Sequence, residues 1–130
     1  MLPLLFAAVC LPCAALPPRP SSTPLVLVPG FLGQREAGVM TPYFQGWRGA
    51  LEEAGAEVYE VAPPPVASSA ERGAALLAAI DDVRARTGAA RVVLITHSQG
   101  GVDARWALDH GGADRIAAVG TLAAPHGGTG

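Results

Sequence analysis

Lysine is missing from the chain, and every basic side chain other than histidine is an arginine. Lys plus Arg number 9 against 11 Asp plus Glu, the formal charge is −2, and the arginines form no stripe. Nucleic-acid binding needs clustered cations to meet phosphates, so the sequence offers no electrostatic case for it. Without lysine there is no P-loop, and Gly30-x-x-Gly33 lacks the order of a dinucleotide-binding glycine motif. Cysteine is nearly as scarce. The only two, Cys10 and Cys13, fall within residues 1–15, so removal of that stretch would leave neither a disulfide nor a thiol nucleophile. Their Cys-x-x-Cys spacing lacks the strand–helix context of a redox motif. His97, His110 and His126 are dispersed without zinc-ligand spacing, and no calcium-binding loop is present. Charged residues make up 15% and hydrophobic ones 50%, which excludes a disordered chain. Much of the hydrophobic share is alanine, which buries little area, so the core is modest.

What is present begins with an apolar stretch over 1–15, interrupted by Pro3 and Pro12 and ending in Cys13-Ala14-Ala15. Small residues at that point suit a signal-peptide cleavage site, although a basic start is lacking. A disordered N-terminus is the plainer alternative, and the stretch is too short to span a bilayer comfortably. It predicts a secreted or extracytoplasmic protein. Residues 16–24 hold several prolines and read as a Pro-rich leader.

From 25 to 130 the pattern is that of one domain. Leu25–Val28 is a continuous apolar run, as in a buried parallel strand, stopped by Pro29-Gly30-Phe31-Leu32-Gly33. Residues 34–42 read as loop. Residues 43–54 read as a helix with Phe44, Trp47 and Leu51 on one stripe, and 57–61 as a short strand closed by Pro63-Pro64-Pro65. Ser68 and Glu71 form a capping-box pattern before an alanine-rich helix carrying Leu76, Leu77, Ile80 and Val83. Arg84 and Arg86 suit the C-terminal end of that helix, and Gly88 ends it. Residues 91–95 are a strand, 102–108 a helix stopped by Gly111-Gly112, and 116–122 a last strand. Alternating strands and helices predict a mostly parallel sheet of about four strands with flanking helices.

The chemistry centres on the join of the third strand and the helix after it. Thr96-His97-Ser98-Gln99-Gly100, followed by Gly101, is one substitution from G-x-S-x-G, and it lies in the strand–turn–helix setting of a nucleophile elbow. Residues two before and two after such a serine must be small. Gly100 meets that need and Thr96 meets it in part. In this reading Ser98 is the nucleophile and the N–H of Gln99 one oxyanion donor. The N–H of Phe31, beside Gly30 on the loop after the first strand, is the second. The plainer readings are an ordinary N-cap serine at 98 and a core-edge plug at Phe31.

His97 adjoins the serine, but successive side chains on a strand point to opposite sides, which gives it a supporting role. His126 follows the last strand and is a weak candidate for the base. His110 suits a helix C-terminus.

Together, Leu25–Gly33, Ser68–Gly88, Val92–Arg105 and Gly120–Thr129 resemble the secreted bacterial triacylglycerol lipases of the α/β-hydrolase superfamily. The resemblance rests on Arg72-Gly73 with Leu76-Leu77 and Thr87-Gly88-Ala89, on His97-Ser98-Gln99-Gly100-Gly101 with Asp103-Ala104-Arg105, and on Thr121 with Pro125-His126-Gly127. It implies a truncated α/β-hydrolase fold, with residues 25–130 as the N-terminal part of the domain and the first strand between the second and third. It implies ester hydrolysis through an acyl-enzyme on Ser98, with lipid or ester substrates met at a lipid–water interface under a lid. No cofactor is implied, and a structural calcium site, the lid, and the acid and base of the triad would all lie beyond residue 130.

The chain departs from the family where Pro29-Gly30 replaces His-Gly, where Thr96 replaces Gly, and where Gly127-Gly128-Thr129 replaces Arg-Gly-Ser. Two function classes follow. One is a lipase-like serine ester hydrolase. The other is a non-catalytic fragment or binding module that lacks the triad acid and base, with the fourth strand an apolar edge prone to self-association.

Overall fold

A computed structural model describes residues 23–33, 35–36, 39–40 and 43–128. The leader expected over 1–15, and all of 16–24 before Thr23, lie outside these residues.

In chain order the elements are β1 (Leu25–Val28), β2 (Arg35–Glu36), β3 (Val39–Met40), α1 (Trp47–Glu53), β4 (Val58–Glu60), α2 (Ser69–Thr87), β5 (Val92–His97), α3 (Gln99–Ala107) and β6 (Ile116–Leu122). A wider turn, Leu108–Gly112, follows α3. The main sheet has the order β4-β1-β5-β6 with every pairing parallel, so the first of its strands lies between the second and third, as expected. Because all four strands run the same way, the loops that follow them share one edge of the sheet. Among the described residues β6 pairs with β5 alone.

Pleating splits the strand residues between two faces. Val26 and Val28 of β1, with Val92 and Leu94 of β5, face α2 and α3 and pack with Leu76, Ile80, Val83, Ala104 and Ala107. Leu27 and Val58 face the other way and meet Phe44. Burial of each large aliphatic side chain stabilises by about 1.5–3 kcal/mol, so the α2/α3 face carries most of the core. Helix α2 starts where its sequence signal lies: Ser68 Oγ accepts from the Glu71 N–H, and Glu71 Oε2 accepts from the Ser68 N–H. Gly88, in the left-handed region, ends it.

Local signals misplace three boundaries. The helix expected over 43–54 forms only over Trp47–Glu53, because Gly46 sits at φ 77° and the chain turns before it. Its stripe divides as a result: Phe44 is buried while Trp47 is 48% exposed. The loop expected over 34–42 contains a small antiparallel pair, β2 with β3. The helix expected to begin at Val102 begins at Gln99, with Gly100 and Gly101 inside it. Tertiary contact overrides their poor helix propensity, because Gly100 lies where α3 approaches the backbone of Val28 and Pro29, and Gly101 where it meets the side chains of Ala124, Thr96 and Thr121.

Candidate active site at the sheet edge

Strain in the backbone gathers at one edge of the sheet. Among the described residues three non-glycine residues have positive φ: Leu32 (62°), Ser98 (53°) and Ala123 (48°). They follow β1, β5 and β6 respectively, at the edge where ligands bind in open α/β sheets. Such conformations cost on the order of 1–3 kcal/mol each and persist where the surroundings enforce them.

Ser98 is held by its neighbours. Its N–H donates to Leu122 O at 2.9 Å, and its carbonyl accepts from the Gly101 N–H at 3.1 Å. An ordinary capping serine has extended φ and ψ and accepts a backbone N–H through its side chain. Ser98 has φ 53° and ψ −126° and makes no such bond. Its half-buried hydroxyl is therefore not committed to the helix that it precedes. Gln99 is the first residue of α3, so its N–H is among those with no partner inside the helix. The Gln99 side chain reaches Ala67 O at 3.4 Å and ties the elbow to the loop after β4.

Two close approaches build this corner. A Cβ on Gly30 would lie 2.8 Å from Ser98 Cβ and 3.0 Å from the Tyr43 hydroxyl, so the loop after β1 runs directly beside the serine. A Cβ on Gly100 would lie 2.8 Å from both Val28 O and Pro29 O. The loop itself closes through Gly33 N–H to Gly30 O at 3.2 Å, and Leu32 N–H donates to Pro65 O at 3.0 Å. Phe31 is 56% exposed, so it does not plug the core edge. With Leu32 and Val66 (38% and 69% exposed) it belongs to an apolar rim carried by the two hydrogen-bonded loops.

Thr96 is fully buried, and its hydroxyl donates to Gly120 O at 3.2 Å. A Cβ on Gly101 would come within 3.3 Å of that hydroxyl. The bulk that a glycine would have avoided at 96 is thus accommodated beside Gly101 on α3, with the Gly120 carbonyl taking the hydroxyl's hydrogen bond.

The structure brings Ser98, Gln99, Gly30 and Phe31 to this corner and turns the histidines to other tasks. His97 Nδ1 meets the Tyr43 hydroxyl at 2.5 Å. His126 is exposed, with Nε2 3.2 Å from Thr121 Oγ1 and its carbonyl accepting from Arg105 at 3.2 Å. His110 stacks on Trp106 with centroids 3.8 Å apart and bonds Trp106 O at 2.7 Å, at the end of α3. Among the described residues no group of three or more His, Cys, Asp or Glu is placed to hold a metal ion. No helix among them is long and apolar enough to cross a membrane.

Sequence reading gave Arg72 a place in the resemblance but no role in the site. Its side chain is fully buried, with Nε donating to Asp103 Oδ2 at 2.7 Å. Its terminal nitrogens donate to Pro64 O at 2.6 Å, Pro29 O at 3.0 Å and Gly30 O at 3.1 Å. Burial pushes the Asp103 carboxyl above the usual range; Arg72 and then Ser69 favour the ionised form and offset part of the effect. Asp103 Oδ1 is buried without a hydrogen bond. A signal did exist: Arg72 shares a helical stripe with Leu76, Ile80 and Val83, where a charged residue must find a partner.

The chain is similar to known proteins in sequence and in fold. A triacylglycerol lipase of Pseudarthrobacter phenanthrenivorans is 35% identical over 109 residues, covering 82% of this chain and 34% of that protein. A triacylglycerol lipase of Pseudomonas fragi is 41% identical over 87 residues, covering 64% of this chain and 28% of that protein. The crystal structure of a Bacillus licheniformis lipase in mature form superposes with a TM-score of 0.66 at 26% identity, over 85% of this chain and 44% of that one. In sequence the chain resembles bacterial triacylglycerol lipases, and its fold is of the α/β-hydrolase type. The lipase-like chain spans about a third of the length of the curated relatives that it matches. No family model matches it.

Proposed function

We propose that the chain carries the nucleophile and the oxyanion hole of a serine ester hydrolase of the triacylglycerol-lipase kind. The observation that carries this reading is Ser98 itself. It stands at positive φ between β5 and α3, makes no capping bond, and lies against the Gly30 backbone.

In the proposed reaction Ser98 Oγ attacks the ester carbonyl carbon and gives up its proton to a general base. The carbonyl π electrons move to oxygen, where the N–H groups of Phe31 and Gln99 stabilise the negative charge. Collapse of the tetrahedral intermediate expels the alcohol, which takes up the proton, and leaves an acyl-serine that water then hydrolyses. None of His97, His110 and His126 is offered as the base, since none of their ring nitrogens is hydrogen-bonded to the Ser98 hydroxyl. In the family that the sequence resembles, the acid and base come from segments later than those matched by residues 25–130.

The exposed rim of Phe31, Leu32 and Val66 supports an apolar acyl substrate, because it offers a water-exposed hydrophobic surface beside the serine. The test is reaction with a fluorophosphonate probe, which bonds covalently to an activated serine. Labelling should map to Ser98 and vanish in Ser98→Ala; label that persists in Ser98→Ala would overturn Ser98 as the nucleophile, and a well-folded protein that takes up no label would overturn activity of this chain by itself. Comparing glycerol esters of increasing acyl length with soluble short esters then separates a lipase from an esterase. The apolar stretch over 1–15 supports export, and sequencing the exported protein should find Leu16 at its N-terminus rather than Met1.

A further inference from the structure

We propose that Arg72 is the positioning residue of the oxyanion loop, fixing the direction in which the Phe31 N–H points; this rests on the reading of Phe31 given above. The geometry of one peptide plane supplies the argument. In a trans peptide the C=O and N–H point in opposite directions. The carbonyl of Gly30 and the N–H of Phe31 belong to the same plane, so whatever holds Gly30 O also aims Phe31 N–H. Arg72 donates to Gly30 O at 3.1 Å and to Pro29 O at 3.0 Å, fixing two successive planes. Phe31 N–H is thereby directed away from the guanidinium.

Arg72 also holds the other side of the site. Its Nε bonds Asp103 Oδ2 at 2.7 Å, and Asp103 lies on α3, whose first residue is Gln99. A third anchor at Pro64 O, 2.6 Å away, ties in the loop after β4. One planar fork therefore sets the elements of both proposed oxyanion donors relative to each other. Arginine suits the task because its donors are fixed in one plane, whereas a lysine ammonium is a single point on a flexible stem. The capped first turn of α2 holds the base of the side chain, since Arg72 directly follows Glu71.

The experiment compares wild type, Arg72→Lys and Arg72→Met by residue-resolved amide hydrogen exchange and by the kinetics of fluorophosphonate labelling. R72K keeps a cation for Asp103 but loses the fork. It should raise exchange at the hydrogen-bonded amides of Leu32 and Gly33 about tenfold or more while leaving Val92–His97 protected. The labelling reaction, resolved into probe binding and covalent step, should show unchanged binding and a covalent step slower by about 10²-fold, as for loss of an oxyanion donor. R72M should show the same loop effect if it folds.

Wild-type exchange at Leu32 and Gly33 in R72K would overturn the proposal. So would equal loss of protection in the loop and in β5, which would make Arg72 a strut of the fold and nothing more. Should wild-type protein take up no label at Ser98, activity of this chain by itself fails, while the exchange comparison still decides whether Arg72 holds the loop.

Discussion

Gly100→Ala is the most demanding single test of how this corner is built. The added Cβ would sit 2.8 Å from both Val28 O and Pro29 O and 3.2 Å from Val28 Cγ1. Carbon atoms in favourable contact stand about 3.5–4 Å apart, so α3 must withdraw by a good fraction of an ångström. Neither oxygen can move aside by a rotamer change, since both are backbone. Val28 belongs to β1, which is locked between β4 and β5.

Overpacking of this kind costs about 1–3 kcal/mol, and the gain in helix propensity from Gly to Ala returns at most about 1 kcal/mol. A net loss of about 1–2 kcal/mol should lower Tm by about 4–8 °C in a chain of this size. Gly49→Ala is the control. Gly49 lies inside α1 with open space where its Cβ would go, so the same exchange should add about 0.5–1 kcal/mol. Thermal unfolding followed by circular dichroism reads both signs. Fluorophosphonate labelling of G100A should slow as well, because Ser98 rides on the displaced end of α3. Equal gains in Tm for G100A and G49A, with labelling unchanged, would refute the close-approach argument.

Thr96→Val keeps the shape of the side chain but removes the bond to Gly120 O, and should cost about 1 kcal/mol, read as a lower denaturant midpoint at constant slope. A variant at least as stable as wild type would show that the hydroxyl is not what makes threonine acceptable there. Glu71→Gln addresses pH. The Ser68 hydroxyl and N–H hold the Glu71 carboxyl below its usual value of 4.5, so its extra stabilisation is full above that value and is lost as pH falls through the depressed one. The wild-type advantage over E71Q should therefore shrink on acidification, and an advantage that grows as pH drops would contradict the assignment.

Much of this could be read from short segments. The apolar run of β1, the capping box and terminal glycine of α2, and the strand-to-helix join at Ser98 are patterns within a few residues, and each lies where the structure has it. The start of α1 could not be read, because only the folded chain puts Gly46 at φ 77°. The start of α3 was hidden because Gly100 and Gly101 look like helix breakers until the neighbouring atoms they must clear are known. The Tyr43–His97 contact joins residues 54 apart in sequence, beyond the reach of any periodicity. Arg72 and Asp103 stood in plain view as opposite charges, each among the buried residues of its own helix. Their positions called for partners without naming them.

By itself, then, the sequence determined the alternation of strands and helices, the parallel class of the sheet, and the serine on its turn. Propensity, period and capping act between neighbours in the chain, so these features need no knowledge of the rest. The place of β1 between β4 and β5 was already implied by the resemblance, whereas the tertiary structure decided the meeting of Gly30 with Ser98 and the fate of the buried charge on Arg72. Those depend on which segments exclude water from one another, and a guanidinium sealed from solvent takes whatever carbonyls and carboxylate the packing brings to it.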